Sequence, residues 1–132
     1  MILSISSHIY SKLAASTALT ALVGDRIFPL GTKNEVAFPF VVYERDTINV
    51  DYDKACRRIA DVDVTVYAVA ETYTKALEIA EIVADLLDKS DGSYTGFDVV
   101  DAIITGASEG FIENSYVQQI SFQFKIEENH GS

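Results

Sequence analysis

Residues 71–92, ETYTKALEIAEIVADLLDKSDG, restrict the fold more than any other part of the chain. Tyr73, Ala76, Leu77, Ala80, Val83, Ala84 and Leu87 recur at steps of three and four, so they share one face of a helix. Thr72 is placed to cap its start and Gly92 to stop it. Ile79, Ile82 and Leu86 fall outside that stripe. At about 100° per residue they widen the apolar arc to roughly 220°. One sheet face covers only about a third of a helix, so this one needs a second apolar neighbour, either a helix of the same chain or another subunit. Ile79, Ile82 and Leu86 are therefore candidate subunit-interface residues.

Around this helix the periodicity changes. Residues 2–15 read as a helix with the stripe Ile2, Ile5, Ile9 and Leu13. Ser16 or Thr17 caps a short second turn that ends at Gly24. Pro29 biases Phe28 away from helix, so residues 25–30 are extended, and 31–37 form a loop. Residues 38–47, β-branched and aromatic with Pro39 near their start, predict a strand. Residues 48–56 predict a charged connection and 57–69 a second strand, in which Val62, Val64, Val66 and Ala68 alternate with Asp61, Asp63, Thr65 and Tyr67. After the helix come a turn at 90–96, a strand at 97–105, a loop at 106–115 and a strand at 116–127. The expectation is one α+β domain over residues 1–132, in the order α-β-β-α-β-β. Its antiparallel sheet has about four strands, with two helices packed on one face. The loops at 46–57 and 106–116 are long for hairpins, so partner contacts are expected there.

Composition narrows the chemistry. A formal net charge of −10, with ten Lys and Arg, argues against specific nucleic-acid binding and against an anionic membrane surface. No apolar run approaches the roughly 18 residues that span a bilayer, and residues 1–12 lack the basic start and cleavage site of a secretory signal. The single cysteine, Cys56, allows no intrachain disulfide and fits a reducing compartment such as a cytoplasm. It stands beside Lys54, Arg57 and Arg58 without a nucleophile motif and reads as a free thiol. Asp51 with Asp53, and Asp61 with Asp63, are acid pairs on extended segments. They read as a solvated acidic face, with a divalent-metal site as the rival. His8 sits on the margin of a helix and His130 in a tail, neither with a second ligand at a metal spacing. Arg57 and Arg58 read as partners for acids of their own or a neighbouring subunit. The glycines form no nucleotide-binding pattern. No catalytic, cofactor or metal residues are expected, and the balance points to an interaction or structural protein.

A set of ordered motifs carries a family resemblance. Residues 18–29, ALTALVGDRIFP, are followed by Pro39-Phe40-Val41-Val42-Tyr43, then by the alternating valines from Val62 to Tyr67, then by Tyr73-Thr74-Lys75-Ala76. In this order and spacing the chain resembles the small tail-completion, or tail-terminator, proteins of long-tailed phages and prophages, which join tail to head. The resemblance implies an α+β subunit of a six-membered ring. That ring would cap the tail tube, stop its polymerisation and offer a surface to the head connector. It implies a virion location in the tail or neck, assembly in a bacterial host cytoplasm, and as partners other copies of itself, a tail tube protein and a head connector protein. Gly24, Asp25, Arg26, Pro29, Pro39 and Tyr43 match the family motif, and the resemblance gives them architectural roles: Gly24 stops a helix, Arg26 forms an ion pair or clamps backbone, Pro39 opens a strand. The rivals are another head–tail connector (neck) component, a metal-dependent enzyme using Asp51, Asp53, Asp61 and Asp63, and a cytoplasmic ligand-binding domain with a closed apolar pocket.

Overall fold

The alternating valines place their strand at the middle of the sheet. In the computed structural model, which describes residues 2–31 and 36–129, strand β3 (Arg58–Ala70) is paired on both sides along its whole length. Its neighbours are β2 (Phe40–Tyr52) and β6 (Ser115–Glu128), and β6 pairs in turn with β5 (Phe97–Ile112). All three pairings are antiparallel. Two three-residue strands complete the sheet. β1 (Ile27–Pro29) runs parallel to β2, and β4 (Gly92–Tyr94) runs antiparallel to β5. The order is β1-β2-β3-β6-β5-β4.

The α+β class stands, while the four-stranded antiparallel sheet becomes a curled sheet of six strands, one of them parallel. Among the described residues the α-helices number three, not two. A 3₁₀ turn at Ile2–Ser4 leads into α1 (Ser6–Ala14), then α2 (Thr17–Val23), and α3 (Tyr73–Leu87) follows β3. Ser16 caps α2 by accepting the Leu19 N–H, and Thr72 caps α3 by accepting the Lys75 N–H. α3 ends at Leu87, earlier than the expected stop, because Asp88 is extended and Gly92 already belongs to β4.

Both expected long loops are largely strand. β2 continues to Tyr52, and the Asp53 carboxylate gathers the turn by accepting the N–H groups of Ala55 and Arg57. Those backbone donors, the Arg57 one foremost, hold the Asp53 carboxyl below its usual range. β5 runs through 106–112 and turns at Glu113-Asn114, where both residues take positive φ as a tight two-residue hairpin requires. Register shifts at Arg45/Thr47, Val99/Asp101 and Ile104/Gly106 add local twist. The expected strand start at Phe38 moves to Phe40, after a cis Phe38-Pro39 bond.

One face of the sheet carries the core. Val62, Val64 and Val66 of β3 and Phe122 and Phe124 of β6 bury against Ile9, Leu13, Leu19, Ile79, Val83 and Leu87 of the helices. Each such side chain contributes about 1.5–3 kcal/mol of hydrophobic stabilisation. Among the described residues all three helices lie on this face, and none lies over the other.

Candidate assembly surfaces

The α3 surface differs from its sequence reading. Ile79 has 0% of its surface exposed and packs in the subunit core, so it offers nothing to a second subunit. Ile82 and Leu86 are half-buried and pack against that core. The second apolar neighbour that the wide arc demanded is within the chain, since α1 and α2 both meet α3. Conversely Tyr73 and Leu77, expected on the sheet-facing stripe, are exposed. The buried line is Ala76-Ile79-Ala80-Val83-Leu87, rotated from the expected one because two packing partners share the helix.

The arginines find acids of their own subunit. Arg57 Nε lies 3.1 Å from Asp53 across the β2–β3 turn, and Arg58 lies 2.9 Å from Glu128 at the end of β6. Both are partly exposed pairs of modest worth. Among the family-motif residues, Gly24 ends α2 at φ +61°, a conformation that suits glycine. Asp25 is exposed. Arg26 Nε donates to the Pro39 carbonyl at 2.9 Å, tying the start of β1 to the entry of β2. Pro29 closes β1 where the Leu30 N–H reaches the Tyr43 carbonyl, and Tyr43 is buried on the helix side of β2.

His8, read as marginal, is fully buried. Ser90 Oγ donates to the Leu87 carbonyl, so it accepts from His8 Nε2 at 2.9 Å, and His8 Nδ1 accepts from the Tyr94 hydroxyl at 2.7 Å. Burial lowers the imidazole pKa to about 4, with Lys12 adding to the effect. His8 thus joins α1 to the segment after α3. His130 lies outside the described residues. Cys56 is exposed in the β2–β3 turn at φ +62°.

The face without helices is acidic. Alternation and register place Glu44, Asp46, Asp61, Asp63, Asp98 and Asp101 there, with Lys125 among them. Hydrogen bonds occupy several of these acids: Tyr67 donates to Glu44 at 2.7 Å, Thr65 to Asp46 at 2.5 Å and Thr47 to Asp63 at 2.7 Å. The Glu44 contact, with partial burial, pushes the Tyr67 hydroxyl up to about 12. Among the described residues no group of three or more His, Cys, Asp or Glu is gathered to hold a metal ion. Among the described residues no helix covers this face, and the curl of the sheet brings Leu30, beyond β1, and Ile112, at the tip of β5, to one trough on it, so the face is concave there. At one end Leu30, Val42, Tyr67, Val69, Ile112 and Val117 line an open trough of about 380 Å³, unlike the closed pocket of the ligand-binding rival.

Among the described residues two strand edges are open. β1 covers β2 only at residues 41–43, so 44–52 have no strand partner on that side, where Arg45 donates from its side chain to the Leu3 carbonyl at 3.0 Å. β4 covers β5 only at 97–99, and the contacts from Asp88 and Lys89 reach no further than Ile104, which leaves 105–112 open. Exposed apolar side chains collect on or beside these edges: Val50 and Tyr52 on β2, Ile104, Phe111 and Ile112 on β5. Sequence reading pointed to these stretches, 46–57 and 106–116, as partner-contact loops and did not show them as strand edges, because an edge is defined by which partner is absent.

Open edges, an acidic concave face and exposed apolar tips are surfaces suited to protein–protein contact. Over residues 7–126 the chain matches the family described as "Tail completion protein gp17". It belongs to that family, and is by membership a structural protein of a phage tail. Its fold is similar to a chain in the structure titled "Virion of native gene transfer agent (GTA) particle", with a TM-score of 0.73 at 22% identity over 90% of this chain and 91% of that one. No curated protein matches it significantly.

Proposed function

We propose that this protein is a tail terminator. Copies of it, six in the expected ring, close on the end of the tail tube, stop its polymerisation and present a surface to the head connector protein. The observation that carries the proposal is the family match over residues 7–126. The mechanism is surface complementarity, not catalysis, and uses no cofactor. The chain acts as one domain over residues 1–132. The partners are other copies, the tail tube protein and the head connector, with neither membrane nor specific nucleic acid among them. The location is the tail or neck of the virion, after assembly in a bacterial host cytoplasm.

The acidic concave face supports the proposal, because a lumen lined with carboxylates lets DNA pass without adhering. Ile82 and Leu86, half-exposed on α3, and Arg57 and Arg58 beside the β2–β3 turn remain candidates for the interface. Light scattering across concentration, with negative-stain imaging, tests the ring in solution and on isolated tail tubes. A closed ring near six subunits at the tube end supports the reading. Binding to the portal side alone, with no affinity for tube, would replace it by a neck component.

A further inference from the structure

We infer that neighbouring subunits join by strand pairing, the open edge of β5 in one copy against the open edge of β2 in the next, so that the ring closes a continuous barrel with the helices outside. The inference rests on the terminator reading and specifies its interface.

Strand direction permits the pairing. β2, β3, β6 and β5 alternate in direction through three antiparallel pairings, so β5 runs opposite to β2. In a ring every β2 points the same way along the axis. The β2 of the next copy therefore lies antiparallel to this copy's β5, and the alternation continues around the ring without a break.

The position of the open edges fits as well. The two edges lie toward opposite ends of the sheet, so they cannot meet if copies stand level. A barrel requires a stagger, because its strands tilt by about 35–45° to the axis. Ala107 is level with Ile120, Val66 and Tyr43, and Ile48 is level with Val62. Setting Ala107 of one copy opposite Ile48 of the next thus shifts the copies by four residues, from Val62 to Val66. At about 3.4 Å per residue and about 4.8 Å per strand, that is roughly 14 Å along for roughly 19 Å across, a tilt of about 35°. The same stagger keeps helix-side residues opposite helix-side residues, as the pleat demands. A shift of six would set Ile48 against Glu109, an aliphatic side chain against a carboxylate.

Side chains agree with the backbone. Val50 stands exposed on the helix side of the β2 edge, and this pairing sets it beside residue 105 of the neighbour, while Phe111, exposed on the helix side of β5, comes up against the end of β1. Residues 105–112 carry one charge, Glu109, so β5 lacks the charged blocking that protects a permanently exposed edge. The helix layer takes the larger outer radius, and the acidic concave face turns to the lumen.

The test is an intersubunit disulfide. Ile48→Cys/Ala107→Cys, with Cys56→Ser to remove the native thiol, is oxidised in solution and on tail tubes and run without reductant. The expected result is a ladder of covalent species that stops at the ring size, while the register-shifted pair Ile48→Cys/Phe111→Cys stays unlinked. Rings seen by imaging without the ladder would overturn the strand pairing and leave the terminator reading intact. No rings in either setting would remove both. Amide exchange of the Cys56→Ser parent gives a second readout: edge amides within 44–50 and 105–110 slow at least about tenfold when the ring forms, and unchanged exchange there contradicts the pairing.

Discussion

His8 Nδ1 lies 2.7 Å from the Tyr94 hydroxyl, a bond between residues 86 positions apart that only a neutral imidazole can accept. The folded pKa is lowered to about 4, mainly by burial, against an ordinary 6.5. A depressed histidine stabilises the fold above its unfolded pKa and loses that contribution as pH falls toward the folded one. Between pH 7 and pH 5 this residue should cost the protein about 2 kcal/mol. Urea unfolding at the two pH values checks it: wild type loses about that much more than His8→Asn. Equal losses would contradict the burial argument.

On α3, adjacent turns should respond differently. Ile79→Ala removes a fully buried side chain and is expected to destabilise by about 2–4 kcal/mol. Leu77→Ala, on the exposed side, should stay within about 0.5 kcal/mol. Denaturant midpoints of the two variants measure the difference, and a reversed order would mean that the helix is rotated.

Gly24 ends α2 at φ +61° and ψ −128°, a region that strongly disfavours a side chain. Gly24→Ala should cost about 1–3 kcal/mol even though a new Cβ would meet only the end of Arg26, at 3.5 Å. A thermal melt unchanged within a degree would contradict it.

Arg26 holds the Pro39 carbonyl through Nε. Arg26→Met keeps the aliphatic stem and loses the donor, so about 1–2 kcal/mol should go. Amide exchange should then quicken at Val41, whose N–H bonds to the Arg26 carbonyl, and leave β6 alone. A uniform change across the sheet would indicate global loss instead of a local clamp.

The legible parts of the fold were those with a strong local period. The valine alternation of β3 and the three-and-four spacing of α3 follow from side-chain geometry alone, and Thr72 caps where its chemistry suggests. β1 was legible only as an extended segment and β4 only as part of a turn, because three residues become a strand only when a long neighbour supplies the hydrogen bonds. The TGASEG run at 105–110 looks like loop and is strand because β6 pairs with it from Gly106 onward, with Thr105 passed over at the register shift. The turn at Glu113-Asn114 lacks the glycine that announces most such hairpins. Ile79 was misplaced for a related reason: a helix held by a sheet and two other helices has a buried arc set by crossing geometry, which a helical wheel does not contain. The motif residues were visible through the family resemblance. The contact between Arg26 and Pro39 needed the structure.

The most direct test of the terminator account is tube length. Purified protein would be added to polymerising tail tube protein of the same particle, and lengths read by electron microscopy. The account predicts tubes that stop growing, each with a ring of this protein at one end and none along its sides. Tubes that lengthen as before, with the protein left free in solution, would contradict it.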